Sequence, residues 1–268
     1  MLSTRIIRAV TVSAVTLLAA SNAAHAKETI VTIPIPSGAS EAFILDIPAK
    51  PIAAVILFPG GNGEFDIEQE PSGDVSTLNN NFLIRTRQMF VAADIATLVL
   101  DVPSDRPRGI NEKFRKSAAH AQDIAAAIAW LNERVKAPIW LVGTSMGSIS
   151  AAAAAISLGS AIHGVVLTSS VSAVGRSSPG AGVSTLDLEA VSVPALVMDD
   201  TMDACPISPP GNAAVIARRM IKSPRTEVKL IDGGATPMSG PCEALSYHGY
   251  YGADTQAVNV IVSFIKAQ

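Results

Sequence analysis

The chain has 268 residues, 49% of them hydrophobic and 16% charged, a composition that excludes a disordered or fibrous protein and suits one packed α/β domain. Its 20 basic and 23 acidic residues form no Lys/Arg-rich stripe, so nothing marks a nucleic-acid or anionic-lipid partner, and a small-molecule substrate is the natural expectation.

The first 26 residues read as an export signal. Arg5 and Arg8 make a positive start, the apolar run from Ala9 to Ala20 is too short to span a bilayer, and Ala24-His25-Ala26 offers small residues at a cleavage point. No Cys follows the run to take a lipid. The expected mature chain is a single domain over residues 27–268, periplasmic or secreted and free of the membrane. Losing Arg5 and Arg8 leaves 18 basic against 23 acidic residues, a net charge of −5. Cys205 and Cys242 are the only cysteines, and an oxidising compartment lets them pair.

From Thr29 to Ile47 the pattern alternates around Pro34, Pro36 and Gly38, which predicts an antiparallel hairpin at a sheet edge. Ile52–Phe58 is a short apolar strand ending in Pro59-Gly60-Gly61, followed by a polar loop and a helical stretch over Asn80–Ala93. Thr97–Asp101 is the next strand. Helical spacing then runs from Lys113 to Val135, Ile139–Val142 is a strand, and Ile149–Leu158 is an Ala-rich helix. Val165–Ser169, Ala195–Met198 and Glu227–Ile231 read as three further strands, with helices near Asn212–Ile221 and Asp254–Lys266. Apolar strands alternating with helices belong in a mostly parallel sheet covered on both faces, whose ligands sit beyond the carboxyl ends of the strands. The irregular stretches Glu64–Leu78, Pro103–Asn111 and Val171–Ser192 all follow strand ends and are expected to rim the site.

Gly143-Thr144-Ser145-Met146-Gly147 matches G-x-S-x-G. Such a pattern arises by chance in about one chain in ten of this length, but here it sits between a strand and a helix, the setting that forces a nucleophilic serine outward. With this motif in place the chain resembles the α/β-hydrolase superfamily over nearly its whole mature length, without room for a cap domain. The segments Asn81-Phe82-Leu83-Ile84-Arg85 and Asp101-Val102-Pro103-Ser104-Asp105 are similar to small, cap-less bacterial hydrolases.

The resemblance implies a serine nucleophile, an acid after a later strand and a histidine after the last strand, in that order. Ser145 is the nucleophile. Asp203, a few residues beyond Ala195–Met198, is the favoured acid, with Asp200 as the alternative. His120 lies inside a helical stretch, in a surface or half-buried structural role, and His163 precedes a strand, which leaves His248 as the base. Many relatives carry the base soon after Gly-Gly, whereas here Gly233-Gly234 is followed by Ala235 and the chain travels on to Ser246-Tyr247-His248. A Cys205–Cys242 bridge would tie the acid loop to the base loop. Gly61, in the glycine-rich turn after the first core strand, and Met146 are the expected oxyanion donors, through their backbone N–H groups. No ligand cluster points to a metal, and the glycine loop lacks the Gly-Lys-Ser/Thr of a phosphate cradle, so no cofactor is expected. The implied reaction is hydrolysis of an ester or thioester of a small soluble substrate. An amidase, or a periplasmic binding protein that keeps the fold without turnover, is the alternative.

Overall fold

A computed structural model describes residues 27–77 and 79–267; the expected export signal, 1–26, lies outside the described residues. The edge hairpin forms as expected, β1 (Thr29–Pro34) pairing antiparallel with β2 (Ser40–Asp46) around Gly38, whose φ of +88° suits glycine. β3 (Ala53–Phe58) leads into the Gly60-Gly61 turn. The polar loop beyond it holds a short antiparallel ribbon, β4 (Ile67–Gln69) with β5 (Val75–Thr77), that periodicity had not revealed.

Two expected helices are each broken by a hydroxyl residue. The Asn80–Ala93 stretch divides into α1 (Phe82–Arg85) and α2 (Arg87–Val91) at Thr86, whose Oγ1 donates to Phe82 O at 2.6 Å and so offers the backbone an alternative to a continuous ladder. After the long strand β6 (Ile95–Pro103), the stretch expected from Lys113 to Val135 divides into α3 (Glu112–Arg115) and α4 (Ala118–Arg134) because Ser117 caps the second, accepting from His120 N. The chain continues through β7 (Ile139–Thr144), α5 (Met146–Leu158), β8 (Gly164–Thr168), β9 (Ala195–Asp200), α6 (Asn212–Arg219), β10 (Thr226–Ile231) and α7 (Asp254–Lys266). None of the described helices is long and apolar enough to cross a membrane.

The main sheet has the order β1-β2-β6-β3-β7-β8-β9-β10, parallel from β6 to β10. Its strands are apolar on both faces because both faces are covered. Ala54, Ile56 and Phe58 of β3 pack with α4 and α5, whereas Ala53, Val55 and Leu57 pack with α1, α2 and α7. From β3 the chain crosses to β6 on one side and returns to β7 on the other. The connections leaving β3 and β7 therefore diverge, and a crevice opens at their carboxyl ends.

One buried acid works against this core. Glu41 on β2 has no exposure, and neither carboxylate oxygen has a hydrogen-bond partner. Burial, reinforced by the charges of Asp123, Asp101 and Asp105, pushes it up to about 8. Between its ordinary value and about 8 the folded chain holds a proton that the unfolded chain releases, so its contribution makes stability fall as pH rises through that window. Glu41→Gln is expected to raise the melting temperature at pH 7 and to flatten its decline from pH 5 to pH 8. Thermal unfolding across pH checks this, and a variant no more stable than the parent would contradict it.

Candidate active site

The crevice is built by close backbone approach. α5 begins directly at the end of β7, and the turn between them holds Ser145 at φ 52° and ψ −124°, a conformation that L-residues adopt only under constraint. The constraint comes from both flanks. A Cβ on Gly143 would lie 2.3 Å from Gly147 O, and one on Gly147 would lie 2.0 Å from Phe58 O, so only glycine permits α5 to press against the end of β3. Ser145 N–H donates to Thr168 O at 3.0 Å, which ties the turn to β8.

The structure brings Ser145, His248 and Asp203 into one hydrogen-bonded line. Ser145 Oγ lies 2.8 Å from His248 Nε2, and His248 Nδ1 lies 2.8 Å from Asp203 Oδ2. An ionised carboxylate can only accept, so Nδ1 carries its hydrogen toward Asp203 and Nε2 accepts from the serine hydroxyl. Asp203 is fixed by a second bond, Cys205 N–H donating to its Oδ1 at 2.8 Å. The alternative acid is elsewhere: β9 runs two residues further than expected because Asp200 still pairs with Ile231 of β10, and Asp200 Oδ1 accepts from Met202 N at 2.8 Å to cap the following turn. Its neighbour Asp199 is buried, and burial together with the adjacent Asp203 pushes it up to about 8.

The long route to His248 is an excursion with a closed neck. Ala235 N–H donates to Tyr251 O at 2.8 Å, and a Cβ on Gly234 would lie 2.3 Å from that same oxygen, so the loop leaves and returns at one point beside the end of β10. Its tip is tied by the disulfide from Cys242 to Cys205, two residues beyond Asp203. Its return limb is held by Arg85, which donates to Gly249 O at 2.5 Å and Ala244 O at 3.3 Å while pairing with Asp254. Ser169 Oγ donates to His248 O at 2.7 Å, and the buried Tyr250 hydroxyl donates to Met198 O at 2.9 Å. Arg85 and Ser169 carried no sign of this in the sequence, since their partners are backbone carbonyls more than 75 residues away.

His120 and His163 stand apart from this line. His163 Nδ1 accepts from Ile139 N at 3.2 Å, at the far end of the sheet. His120 is fully buried rather than at the surface or half-buried, because α4 turns it inward against Ser150, and burial with the charges of Arg115 and Arg106 pushes it down to about 3. Gly61 and Met146 flank Ser145 on the wall of a cleft of about 550 Å³, with Ile110, Pro179 and Ile207, and with Lys113 and Arg176 also on that wall. A smaller recess of about 240 Å³ opens on the side of His248, lined by Asn81, Ala244 and Gly249. A concavity of about 970 Å³ between β10 and α7 contains none of the three aligned residues. The described residues hold no cluster of three or more His, Cys, Asp or Glu arranged for a metal ion.

The chain has the α/β-hydrolase fold. It superposes on a dienelactone hydrolase from Anabaena variabilis with a TM-score of 0.61 and 16% identity, over 90% of this chain and 97% of the other. A carboxyl esterase from Bacillus coagulans gives a TM-score of 0.62 at 13% identity, covering 90% and 98%. A serine hydrolase without a lid from Xanthomonas campestris gives 0.53 at 16% identity, covering 88% and 95%. Compared by sequence, the chain matches no protein-family model and no curated protein.

The bridge closes a separation of 37 residues, for which loop-closure entropy gives about 4 kcal/mol. Non-reducing peptide mapping is expected to find Cys205 joined to Cys242. After reduction, hydrogen exchange should accelerate over residues 234–250 while β3 and β7 stay protected; equal acceleration throughout the sheet would show that the bridge supports the whole fold instead.

Proposed function

We propose that the chain is an exported serine hydrolase that cleaves an ester or thioester of a small soluble substrate through an acyl-enzyme. The observation that carries this reading is the continuous line from Ser145 Oγ through the His248 ring to Asp203, each link 2.8 Å long. Ser145 attacks the substrate carbonyl while His248 Nε2 takes its proton. Asp203 holds the imidazolium that forms. The N–H groups of Gly61 and Met146 receive the developing oxyanion, aided by the positive end of α5. His248 then returns the proton to the leaving group, and water, activated in the same way, releases the acid and restores Ser145.

Export of residues 27–268 to the periplasm or medium is supported by the signal-like residues 1–26 and by the disulfide, which persists in oxidising compartments. Substrate size is argued from the rim. Residues 171–192 carry only the short 3-10 turns Gly182–Thr185 and Leu188–Ala190, too little for a multi-helix lid that would form a long apolar tunnel. The similarity to esterases agrees with a carbonyl substrate, and the line itself serves an amide as readily as an ester.

Turnover of a series of nitrophenyl esters tests the reading. Acyl groups of about two to four carbons are expected to give the highest kcat/KM, with no jump in rate when the substrate forms micelles. Ser145→Ala should abolish turnover, and His248→Ala and Asp203→Asn should lower it by about three orders of magnitude or more. Asp200→Ala and His163→Ala should leave it near the parent rate. Full activity in His248→Ala would remove the assignment of the base.

A further inference from the structure

Arg115, the last residue of α3, is the least expected charge in the molecule. It is 2% exposed, its Nε has no partner, and no carboxylate among the described residues forms an ion pair with it. Burial of an unpaired charge costs several kcal/mol. That burial pushes Arg115 down to about 9, which leaves it a cation at neutral pH. A purely structural core position is better filled by an apolar side chain, so the contacts of this guanidinium bear on why it is there.

Its guanidinium bonds the two segments that flank Ser145, the Gly60-Gly61 turn and α5. Nη2 donates to Gly61 O at 3.2 Å and lies 3.5 Å from Pro59 O, and Nη1 donates to Ser150 Oγ at 2.8 Å. These two carbonyls belong to the peptides on either side of the Gly60–Gly61 peptide, the one that carries the Gly61 N–H. Gly61 itself sits at φ +61° with open space where a side chain would be, so the turn is held through its backbone: Gly63 N–H donates to Gly60 O at 3.1 Å, Ile110 N–H donates to Asn62 O at 2.7 Å, and Arg115 holds the carbonyls of Pro59 and Gly61. Ser150 belongs to α5, whose first residue is Met146. Its hydroxyl accepts from Arg115 and also bonds His120 Nε2, 3.0 Å away. His120 is neutral there, so the contact fixes the guanidinium without neutralising it.

We propose that Arg115 is the positioning residue of the oxyanion site, clamping the Gly61 turn to α5 so that the N–H groups of Gly61 and Met146 face one point. The inference rests on the serine-hydrolase reading. The clamp sets the spacing of the two donors, and its uncompensated charge behind the turn favours the transition state, where the substrate oxygen becomes negative, over the neutral ester. Loss of Arg115 should therefore act on kcat more than on KM.

The test compares Arg115→Met, Arg115→Lys and Ser150→Ala with the parent. It reads kcat and KM for a short-chain nitrophenyl ester, and Ki for a short trifluoromethyl ketone, which forms an anionic tetrahedral adduct on serine. Arg115→Met is expected to lower kcat about tenfold to a hundredfold with KM within about threefold, and to raise Ki by the factor by which kcat/KM falls. Arg115→Lys, which keeps the charge with a shorter reach, should recover part of the loss, and Ser150→Ala should show a smaller loss of the same kind. If Arg115→Met does not fold, the other two decide: parental kcat in both overturns the proposal. So does a rise in KM that matches the rise in Ki, which marks general loosening. A parent that turns over no ester removes the underlying reading and this inference with it, whereas an active parent with unaffected variants removes this inference alone.

Discussion

The approach of α5 to the end of β3 sets the Ser145 turn and the turn that faces it across the crevice. Gly147 lies so near the carbonyl of Phe58 that no side chain fits between them, and the turn that delivers α5 there holds Ser145 in a backbone conformation it would not adopt freely. Strain of this kind persists only where the surroundings over-determine it. Here they do so through the Thr168 carbonyl on β8, the packed face of α5 against β3 and β7, and the glycine on each side of Ser145. The sheet order matters for the same reason. Because the chain leaves β3 and β7 in opposite directions, the Gly60-Gly61 turn and the Ser145 turn face each other across an open crevice.

The histidine reaches that crevice by other means. The excursion between Ala235 and Tyr251 has almost no regular structure beyond the 3-10 turn at Tyr247–Gly249, so its order comes from outside. Arg85 grips its carbonyls, Ser169 holds the backbone of His248, and the bridge from Cys242 fixes its tip to the loop that carries Asp203. Asp203 and His248 are thus joined twice, by the hydrogen bond between their side chains and by the covalent link between their loops. A loop with so little regular structure of its own would otherwise belong to the low-stability end of the fold.

Much of this was legible in the sequence because it depends on local signals. The hairpin, the parallel strands and α7 follow from period and punctuation, and the position of Ser145 follows from glycines whose spacing only a tight turn explains. The breaks at Thr86 and Ser117 were not legible, since hydroxyl residues inside a helical pattern read as tolerated rather than as caps. The two-residue extension of β9 was hidden because Asp199 and Asp200 look like loop residues, although pairing with β10 holds them in the ladder. His120 was read too near the surface for a similar reason: a polar residue in an amphipathic pattern gives no warning that a buried hydroxyl awaits it. Arg115 was invisible. One arginine among Lys113, Lys116 and their neighbours looks like a solvated face, and only the fold turns it beneath the Gly61 turn.

On the proposed function, this framework makes Ser145 a nucleophile. Incubating the purified, disulfide-intact protein with a fluorophosphonate and locating the adduct by peptide mass measures that directly. One adduct per chain is expected, on Ser145, formed far more slowly when His248 is replaced by alanine. An adduct on another residue, or no adduct on a chain that hydrogen exchange shows to be folded, would contradict it.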